Sequence, residues 1–387
     1  MKNSILIQSP ERAISFRIGQ RPIKTVKKIF FLIPSLTSGG SERVFSILAN
    51  HLDNQQFDIT VFVLDGRNRF YDIDESRVQV VDLKSPRIRQ AFSKIIKIIR
   101  GEKPDLVVST LSHLNQFIGL MKPVLPQKTR FIARESTILS VFHRQQSMPA
   151  LRDLLVRWLY PSFDGLICQS QRMAKDFENN YNLAPSQLTI INNPVDTEGV
   201  LKLAFETIVP AKKAAFRFVS VGRLSAEKGI DKALRILARL ENRDFEYHII
   251  GEGNERSRLE ELAKTLGISE NVLFQGVQKN PFSWIISADL LLLTSEFEGF
   301  PNVLLEAGAV GTPSIAFACG GVVEEIITDG INGFIVKDGD EAAFSAAILR
   351  GCSTEFNRSR IQDLTKNKFG VEKIVAQYAA TFSCIMK

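Results

Sequence analysis

The sequence predicts an α/β protein made of two doubly wound parallel sheets that face each other across a cleft. Short apolar runs alternate with segments of helical periodicity in two series, one before and one after a break at residues 189–209. Strands that alternate with helices form parallel sheets covered on both faces. The chain of 387 residues is also long enough for two domains of ordinary size.

The first series begins with an apolar run at residues 28–34, which predicts a buried strand, followed by Gly39 and Gly40. A helix is predicted over residues 41–52, with Ser41 as its N-cap. Further elements of this series are predicted as a strand at 59–64, a helix at 88–100 and strands at 105–109, 129–133 and 165–169.

The second series follows a turn signal at Asn192, Asn193 and Pro194. Its strands are predicted at 216–221, 247–251, 272–275, 288–294 and 314–318, and its helices at 229–239, 255–266 and 371–386. We therefore expect an N-terminal extension (1–26), a first domain (27–195), a linker (196–212), a second domain (213–370) and a C-terminal helix (371–387) that crosses back to the first domain.

Composition and charge narrow the class of function. With 44% hydrophobic and 24% charged residues the chain is typical of globular proteins, and no apolar run approaches the length of a membrane span. The N-terminus lacks the features of a signal peptide, so we expect a cytoplasmic protein. The first 199 residues carry 27 Lys and Arg against 18 Asp and Glu, whereas the remainder carries 22 against 24. This asymmetry indicates an anionic partner for the first half.

The segment 298–306 (EGFPNVLLE) follows a predicted strand and opens a helix, with Pro301 suited to the first turn. The positive end of a helix binds diphosphates through backbone amides. The amides expected there belong to Gly299, Phe300, Asn302 and Val303. Glu298 precedes the helix and Glu306 lies inside it, so the two carboxylates reach different ends of one ligand. A loop carboxylate and a solvated helix carboxylate are the alternative, which the apolar neighbours of Glu306 disfavour.

A second segment, 219–229 (VSVGRLSAEKG), places Arg223 and Lys228 in a loop between a predicted strand and a predicted helix. Two cations at a sheet edge suit the two phosphates of a nucleoside diphosphate. They would stabilise the negative charge that grows on a departing diphosphate. Two solvated loop cations are the alternative interpretation. Gly39 and Gly40 either let the backbone approach a ligand or make a tight turn.

These motifs, in their order along the chain, resemble those of the retaining glycosyltransferases of family 4, which have the GT-B fold. Segment 298–306 resembles their E-x7-E signature, residues 38–43 (SGGSER) their glycine loop and residues 222–229 their Arg/Lys loop. Residues 191–196 (INNPVD) resemble the interdomain segment, and residues 311–313, 320–326 and 332–334 the C-terminal signature. The resemblance covers nearly the whole chain from about Lys27 and implies two Rossmann-like domains.

The resemblance implies roles for the motif residues. The residue that matches Glu306 bonds the ribose, the one that matches Glu298 contacts the donor sugar, and those that match Arg223 and Lys228 hold the diphosphate. Glu298, Arg223 and Lys228 are therefore the expected catalytic residues. The wider expected donor-binding set comprises Gly39, Gly40, Arg223, Lys228, Gly276, Val277, Glu298, Gly299, Phe300, Asn302, Val303 and Glu306. Within it, Gly276 and Val277 would line the base pocket.

The function implied by the resemblance is transfer of a hexose or N-acetylhexosamine, with retention, from a nucleotide sugar to a saccharide acceptor. Family habit alone favours UDP, and it favours a lipid-linked acceptor in polysaccharide or lipopolysaccharide assembly. Such enzymes need no protein nucleophile and no further cofactor, and usually no metal. Asp72 with Asp74 and Asp338 with Asp340 imitate a metal-binding DxD motif, but solvated turns are the favoured interpretation.

One position departs from the family pattern. Many relatives carry a histidine, thought to touch the donor sugar, after the strand that matches residues 129–133. This sequence has Arg134, Glu135 and Ser136 there.

Residues 87–103 (RIRQAFSKIIKIIRGEK) combine an apolar stripe with six cations. Such a helix either lies on an anionic membrane surface or packs into the core with a solvated basic face. Residues 151–160 are a second candidate for membrane contact. If either of these two segments contacts the membrane, the protein is peripheral on the inner face of the cell membrane.

Other functions find less support in the sequence. Segment 251–256 (GEGNER) half-resembles a dinucleotide-binding motif, but Arg256 replaces its third glycine, which disfavours an NAD-dependent oxidoreductase. A non-catalytic sugar-nucleotide-binding subunit is disfavoured because all four charged motif residues are present. Nucleic acid is not an expected partner, since the basic stretches lack interleaved aromatic residues.

Overall fold

The computed structural model describes residues 26–37, 39–85 and 88–387. The predicted N-terminal extension therefore lies outside the described residues except for Val26, as do Ser38 of the glycine segment and Arg87 of the basic segment.

The first domain is a sheet with helices on both faces. Its elements are β1 (Lys27–Ser35), α1 (Gly40–His51), β2 (Phe57–Asp65), β3 (Gln79–Asp82), α2 (Ile88–Glu102), β4 (Leu106–Thr110), α3 (Ser112–Met121), β5 (Arg130–Arg134), α4 (Leu139–Arg144), α5 (Pro149–Leu159), β6 (Gly165–Cys168), α6 (Gln171–Tyr181) and β7 (Leu188–Ile190). Over the described residues the seven strands are parallel in the order β3-β2-β1-β4-β5-β6-β7.

The second domain repeats this plan. Its elements are α7 (Thr197–Glu206), β8 (Phe216–Val221), α8 (Ile230–Ala238), β9 (Phe245–Ile250), α9 (Arg256–Thr265), β10 (Val272–Gly276), α10 (Phe282–Ser287), β11 (Leu290–Leu293), α11 (Asn302–Val310), β12 (Ser314–Phe317), β13 (Gly333–Val336), α12 (Glu341–Ser353) and α13 (Arg358–Phe369). Its six parallel strands, all within 88–387, have the order β10-β9-β8-β11-β12-β13. The expected class of two doubly wound parallel sheets is confirmed.

Each sheet is buried on both faces, as near-continuous apolar strands require. In β1, for example, Phe30 and Leu32 face one core of the first domain, and Ile29, Phe31 and Ile33 face the other. The second sheet likewise separates two cores. Four cores therefore hold the two sheets rigid, and the loops at their carboxyl ends are supported from beneath.

The chain crosses between the domains twice, and the two crossings touch. Val195, on the way into the second domain, pairs with Gly370, on the way out, and the Val195 amide donates to the Phe369 carbonyl at 2.9 Å. After Gly370 the last helix, α14 (Val371–Ile385), returns to the first domain, where Tyr378 and Phe382 are fully buried beside β1 and α1.

Several local predictions differ from the structure. Ser41 is not the N-cap of α1, because the helix begins one residue earlier with Gly39 in the capping position. The stretch predicted as a linker contains α7, which packs with α10 and α11 in a core of the second domain. The short strands β3, β7 and β13 were not predicted, since three or four residues give little periodicity.

Helix α2 favours the core-packing interpretation of the basic segment. Ala91, Ile95 and Ile99 are buried in the first domain, whereas Lys97 and Arg100 are exposed. The apolar stripe is therefore occupied by the protein itself. None of the helices in the described ranges has both the length and the apolar character needed to cross a bilayer.

A buried acid lies just beyond the carboxyl end of β5. Glu135 is 1% exposed, and it accepts hydrogen bonds from the Tyr160 hydroxyl and from Asn115 Nδ2, the latter at 2.6 Å. Burial raises the pKa of this carboxyl from 4.5 to about 7, although both donors act in the opposite direction. Between pH 4.5 and about 7, the folded protein therefore keeps a proton on Glu135 that the unfolded chain has already released.

We expect Glu135→Gln to remove a pH dependence of stability. Because the folded pKa is the higher one, the contribution of Glu135 to the free energy of unfolding of the wild type should fall as pH rises from 4.5 to 7. The decrease due to one group is at most about 1.4 kcal/mol per pH unit. Urea unfolding at several pH values should show the stability of Glu135→Gln relative to wild type increasing over this window and then levelling off. The exposed Glu206→Gln variant is the control, and a pH-independent difference for Glu135→Gln would contradict the expectation.

Candidate functional site

Except for Gly276 and Val277, the predicted site residues lie at the points where the strand order of each sheet reverses. These points lie between β1 and β4 in the first sheet and between β8 and β11 in the second. Loops diverge there, and the crevice outside the carboxyl ends of the strands receives ligands in doubly wound folds. The glycine pair follows β1, the Arg223–Lys228 loop follows β8 and the Glu298 loop follows β11. Topology thus directs all three toward the space between the domains.

Lys228 and Glu298 are in direct contact. The Lys228 ammonium lies 2.7 Å from Glu298 Oε1, and the same oxygen accepts a hydrogen bond from the Ser295 hydroxyl at 2.7 Å. Both side chains are largely shielded from solvent. The cation of one predicted motif and the first carboxylate of the other therefore form one polar centre.

The two loops that carry these residues are tied together by their backbones. The Thr294 hydroxyl donates to the Gly229 carbonyl at 2.8 Å, and the Glu296 amide donates to the Glu227 carbonyl at 2.9 Å. Gly229 has φ +61°, and a Cβ there would come within 2.2 Å of the Thr294 carbonyl oxygen. Only glycine fits this position, so the spacing between the loops is fixed.

Arg223 is exposed in the same loop and acts electrostatically across the cleft. Burial raises the pKa of Glu42 on α1, and the positive charges of Arg134 and Arg223 act in the opposite direction. Ser35, at the end of β1, donates to Glu42 at 3.2 Å. A cation of the second domain thus lies within reach of the loop that follows β1.

Glu306 is 7% exposed, in keeping with the argument that a carboxylate among apolar neighbours needs a partner. Its partner is Arg43 on α1, which donates from Nη1 to Glu306 Oε1. The Arg43 guanidinium also lies 5.2 Å from the centre of the Phe282 ring. Burial raises the pKa of the neighbouring Tyr71 to about 12, and the charges of Glu306 and Glu42 add to this while Arg43 opposes it.

Asn302, the first residue of α11, connects three segments of the cleft. Its side-chain oxygen accepts from Asn193 Nδ2 at 2.6 Å, and its side-chain nitrogen donates to the Gly40 carbonyl at 3.3 Å. Because Gly40 and Asn302 are the first residues of α1 and α11, this second bond shows that the amino ends of the two helices lie side by side. Two helix amino ends that converge on one space favour an anion there.

The turn before α11 fits closely against the first domain. A Cβ at Gly299 would come within 2.1 Å of the Ser136 carbonyl oxygen, so glycine is required at this approach. Phe300 is buried against Phe369, whereas Val303 is partly exposed. The segment at which many relatives carry a histidine therefore does border the predicted donor turn.

Gly276 ends β10, the edge strand two places from β8 and the reversal point, and Val277 follows it. Gly276 has φ +68° and its carbonyl accepts from the Gly251 amide at 2.8 Å. Val277 is 58% exposed. This geometry is compatible with the predicted base pocket.

Two segments that resemble a metal-binding motif and a dinucleotide-binding motif have local structural roles. Asp338 accepts from the amides of Cys319 and Gly320 at 2.7 and 2.9 Å, and Asp340 caps α12. Gly253, in the segment that half-resembles a dinucleotide motif, packs against the backbone of Leu224. Across the described ranges, no three His, Cys, Asp or Glu side chains are grouped as metal ligands.

Sequence reasoning missed several residues that the structure adds to the cleft. Arg43 was inside the glycine segment but received no role, and Asn193 was taken only as part of a turn and of the segment that resembles the interdomain segment. Glu325 also spans the domains, since it accepts from the Gln171 amide at 2.8 Å and from Asn192 at 3.3 Å. Each of these side chains finds its partner in a distant part of the chain, which local patterns do not reveal.

Comparison with known proteins gives the family. Residues 38–199 match the model of Glycosyltransferase Family 4, and residues 205–368 match that of Glycosyl transferases group 1. A Campylobacter jejuni protein named N-acetylgalactosamine-N,N'-diacetylbacillosaminyl-diphospho-undecaprenol 4-alpha-N-acetylgalactosaminyltransferase is 28% identical over 89% of this chain and 94% of its own. The lipopolysaccharide core biosynthesis glycosyltransferase LpsE of Rhizobium meliloti is 26% identical over 88% and 92%.

Solved structures agree on the fold. Anabaena HepE in complex with UDP-glucose superposes with a TM-score of 0.73 at 20% identity, covering 92% of this chain and 100% of that one. A glycosyltransferase from Rickettsia africae gives a TM-score of 0.75 at 17% identity, over 94% and 99%. With both halves of the chain matched by glycosyltransferase models and both domains arranged as in these structures, the chain belongs to the family 4 glycosyltransferases and has their GT-B fold.

Proposed function

We propose that the chain transfers a hexose or N-acetylhexosamine from a UDP-sugar to a saccharide acceptor with retention of configuration. The observation that carries this proposal is the contact between Lys228 and Glu298, 2.7 Å apart at the reversal point of the second sheet. In this proposal Lys228 would hold the diphosphate and Glu298 would contact the sugar, and their direct contact supports a shared role in binding one donor. The Anabaena neighbour's complex with UDP-glucose supports the choice of donor.

In the proposed reaction the bond between the sugar C1 and the diphosphate oxygen breaks while an acceptor hydroxyl oxygen bonds to C1 from the same face. Lys228 and Arg223 would stabilise the negative charge on the departing diphosphate, and a diphosphate oxygen would take the hydroxyl proton. Fixed cations lower the barrier because the charge is larger in the transition state than in the bound donor. Glu298 would orient the sugar.

Glu306 would hold the ribose, as the resemblance implies. In this structure Arg43 occupies its carboxylate. If the ribose hydroxyls bind there, Arg43 gives up this partner when the donor enters. The amino ends of α1 and α11 then remain as the anion-binding wall of the site.

We also propose that the acceptor is lipid-linked, which the Campylobacter relative supports through its printed name. Residues 87–103 were the first candidate for membrane contact, but their apolar side chains pack inward along α2. Helix α5, in the same layer against the sheet, is the better candidate. Leu154 and Trp158 are 60% and 69% exposed, and Arg152 and Arg157 flank them. An apolar stripe bordered by cations suits an anionic lipid surface.

Substitutions of Lys228 and Glu298 test the proposed chemistry against a matched pair nearby. Lys232, one turn further along the chain in α8, and Glu296 of the Glu298 loop form a second ion pair, with 3.1 Å between Nζ and Oε1. We expect Lys228→Ala and Glu298→Gln each to reduce donor consumption about 10²-fold or more, as loss of an oriented charge does. Lys232→Ala and Glu296→Gln should stay within about twofold of wild type.

The measurement is mass spectrometry of a panel of UDP- and GDP-sugars incubated with each variant, with and without saccharide acceptors. If the variants of both ion pairs lost donor consumption equally, the proposed catalytic role of Lys228 and Glu298 would be contradicted. Wild-type binding of a donor without any turnover would instead indicate a sugar-nucleotide-binding subunit.

Vesicle binding tests the membrane proposal. We expect the wild type to co-sediment with vesicles that contain phosphatidylglycerol more strongly than with phosphatidylcholine alone. Replacing Leu154 and Trp158 by serine should reduce this binding at least about tenfold, since both apolar anchors are lost. The control Leu349→Ser removes an apolar side chain that is 56% exposed on the second domain and should bind as wild type does. Binding that ignores lipid charge, or that both variants lose equally, would contradict the proposal.

A further inference from the structure

Arg134, the last residue of β5, is a fully buried cation. It is 0% exposed, and within the described residues the hydrogen bonds of its guanidinium go to neutral oxygens. Burial raises the pKa of Glu42 and the charge of Arg134 opposes this rise, but Glu42 is not in hydrogen-bond contact with Arg134. Burying a charge without a carboxylate partner is costly. The cost suggests that the geometry of this side chain serves the function.

The guanidinium is held from three sides. Nε donates to the Tyr378 hydroxyl at 2.9 Å, and Nη2 donates to Asn193 Oδ1 at 2.6 Å. The group also lies 5.9 Å from the ring centre of Phe45 on α1. Nη1 is buried and has no hydrogen-bond partner in the described part of the chain. A planar fork with two fixed bonds leaves its acceptors little freedom.

This fork determines the orientation of the two asparagines that follow. Because Arg134 needs an acceptor, Asn193 presents its oxygen to the arginine and its nitrogen to Asn302. Asn302 then presents its oxygen to Asn193 and its nitrogen to the Gly40 carbonyl. Each bond sets the direction of the next. This series of hydrogen bonds begins at Tyr378 in α14 and passes through Arg134 in β5 and Asn193 in the first interdomain crossing. It ends at the amino ends of α11 and α1.

We propose that Arg134 is a positioning residue for the donor: through Asn193 it holds the amino end of α11 against the glycine turn, and through Tyr378 it makes this placement depend on α14. The inference rests on the proposed function, because α11 is the helix assigned to the donor. Arg134 lies near the position at which many relatives carry a histidine that touches the sugar. In this proposal Arg134 does not touch the sugar but supports the residues that bind the donor. Helix α14 thereby contributes to donor affinity as well as to packing.

Tyr378→Phe tests this dependence with the smallest change. It removes the hydroxyl that accepts from Arg134 and keeps the ring in its core. Tyr247→Phe is the matched control, since Tyr247 is also fully buried and its hydroxyl donates to Ser220 at 2.8 Å, in a core of the second domain. Calorimetric titration with UDP should show affinity about three- to tenfold weaker for Tyr378→Phe and unchanged for Tyr247→Phe.

Arg134→Lys separates positioning from charge. Lysine keeps the positive charge but cannot form the two-pronged fork. We expect it to weaken UDP binding at least as much as Tyr378→Phe. A lysine variant that binds UDP like the wild type would overturn the proposal in favour of a purely electrostatic role.

Hydrogen exchange of the ligand-free protein gives a readout that does not depend on the donor. Amides at the start of α11 should exchange faster in Tyr378→Phe than in wild type or Tyr247→Phe, while those of β11 should not change. Equal exchange at α11 in both tyrosine variants would refute the positioning role. If the wild type binds no UDP, the proposed donor is wrong, yet this comparison still decides the role of Arg134.

Discussion

The cleft depends on opposite charges brought together from separate elements. Lys228 meets Glu298, and Arg43 meets Glu306, each pair joining two segments that are distant in sequence. Parallel strands require this arrangement, because their loops all emerge at one edge and the amino ends of the following helices carry partial positive charge there. Carboxylates placed at such an edge are satisfied by nearby cations. A ligand that carries both phosphates and hydroxyl groups can take over these contacts, because its phosphates can pair with the cations and its hydroxyl groups can donate to the carboxylates.

Directional polar contacts join the domains at this cleft, beside the approach of Arg43 to the Phe282 ring and of Gly299 to the Ser136 carbonyl. They include Arg43 with Glu306, Asn193 with Asn302 and the Gln171 amide with Glu325. A neutral hydrogen bond of this kind contributes only about 1 kcal/mol of net free energy, whereas removal of one partner from the buried Arg43–Glu306 pair costs more because the other charge is left unpaired. The covalent link is also narrow, since the two crossings pair at Val195 and Gly370. The geometry of the cleft is thus set by a small number of directional bonds, and a ligand that forms its own bonds can alter it.

Local sequence patterns predicted the two sheets and the loops that carry charge, because buried strands need apolar runs and reversal points need loops. The resemblance then supplied the family, which is confirmed, while the roles of the individual site residues stay predictions. Ser41 was wrongly taken as a cap, since nothing local shows that α1 begins at Gly40. The pairing of Arg43 with Glu306 spans 263 residues, so no window of sequence contains both. Those partners could be recognised only after the two domains were in place.

The segment where the sequence departs from its family shows how a substitution can be absorbed. Arg134 and Glu135 are adjacent, yet they face opposite cores, and neither neutralises the other through a direct bond. Glu135 lowers the cost of its burial by keeping a proton to a higher pH, a route that is closed to arginine. Arg134 must instead remain charged and take oxygens from Tyr378 and Asn193. Arg134 cannot lose its charge, so the side chains around it must present oxygen atoms to it. The fixed orientation of these side chains extends through Asn193 and Asn302 to the amino end of α11.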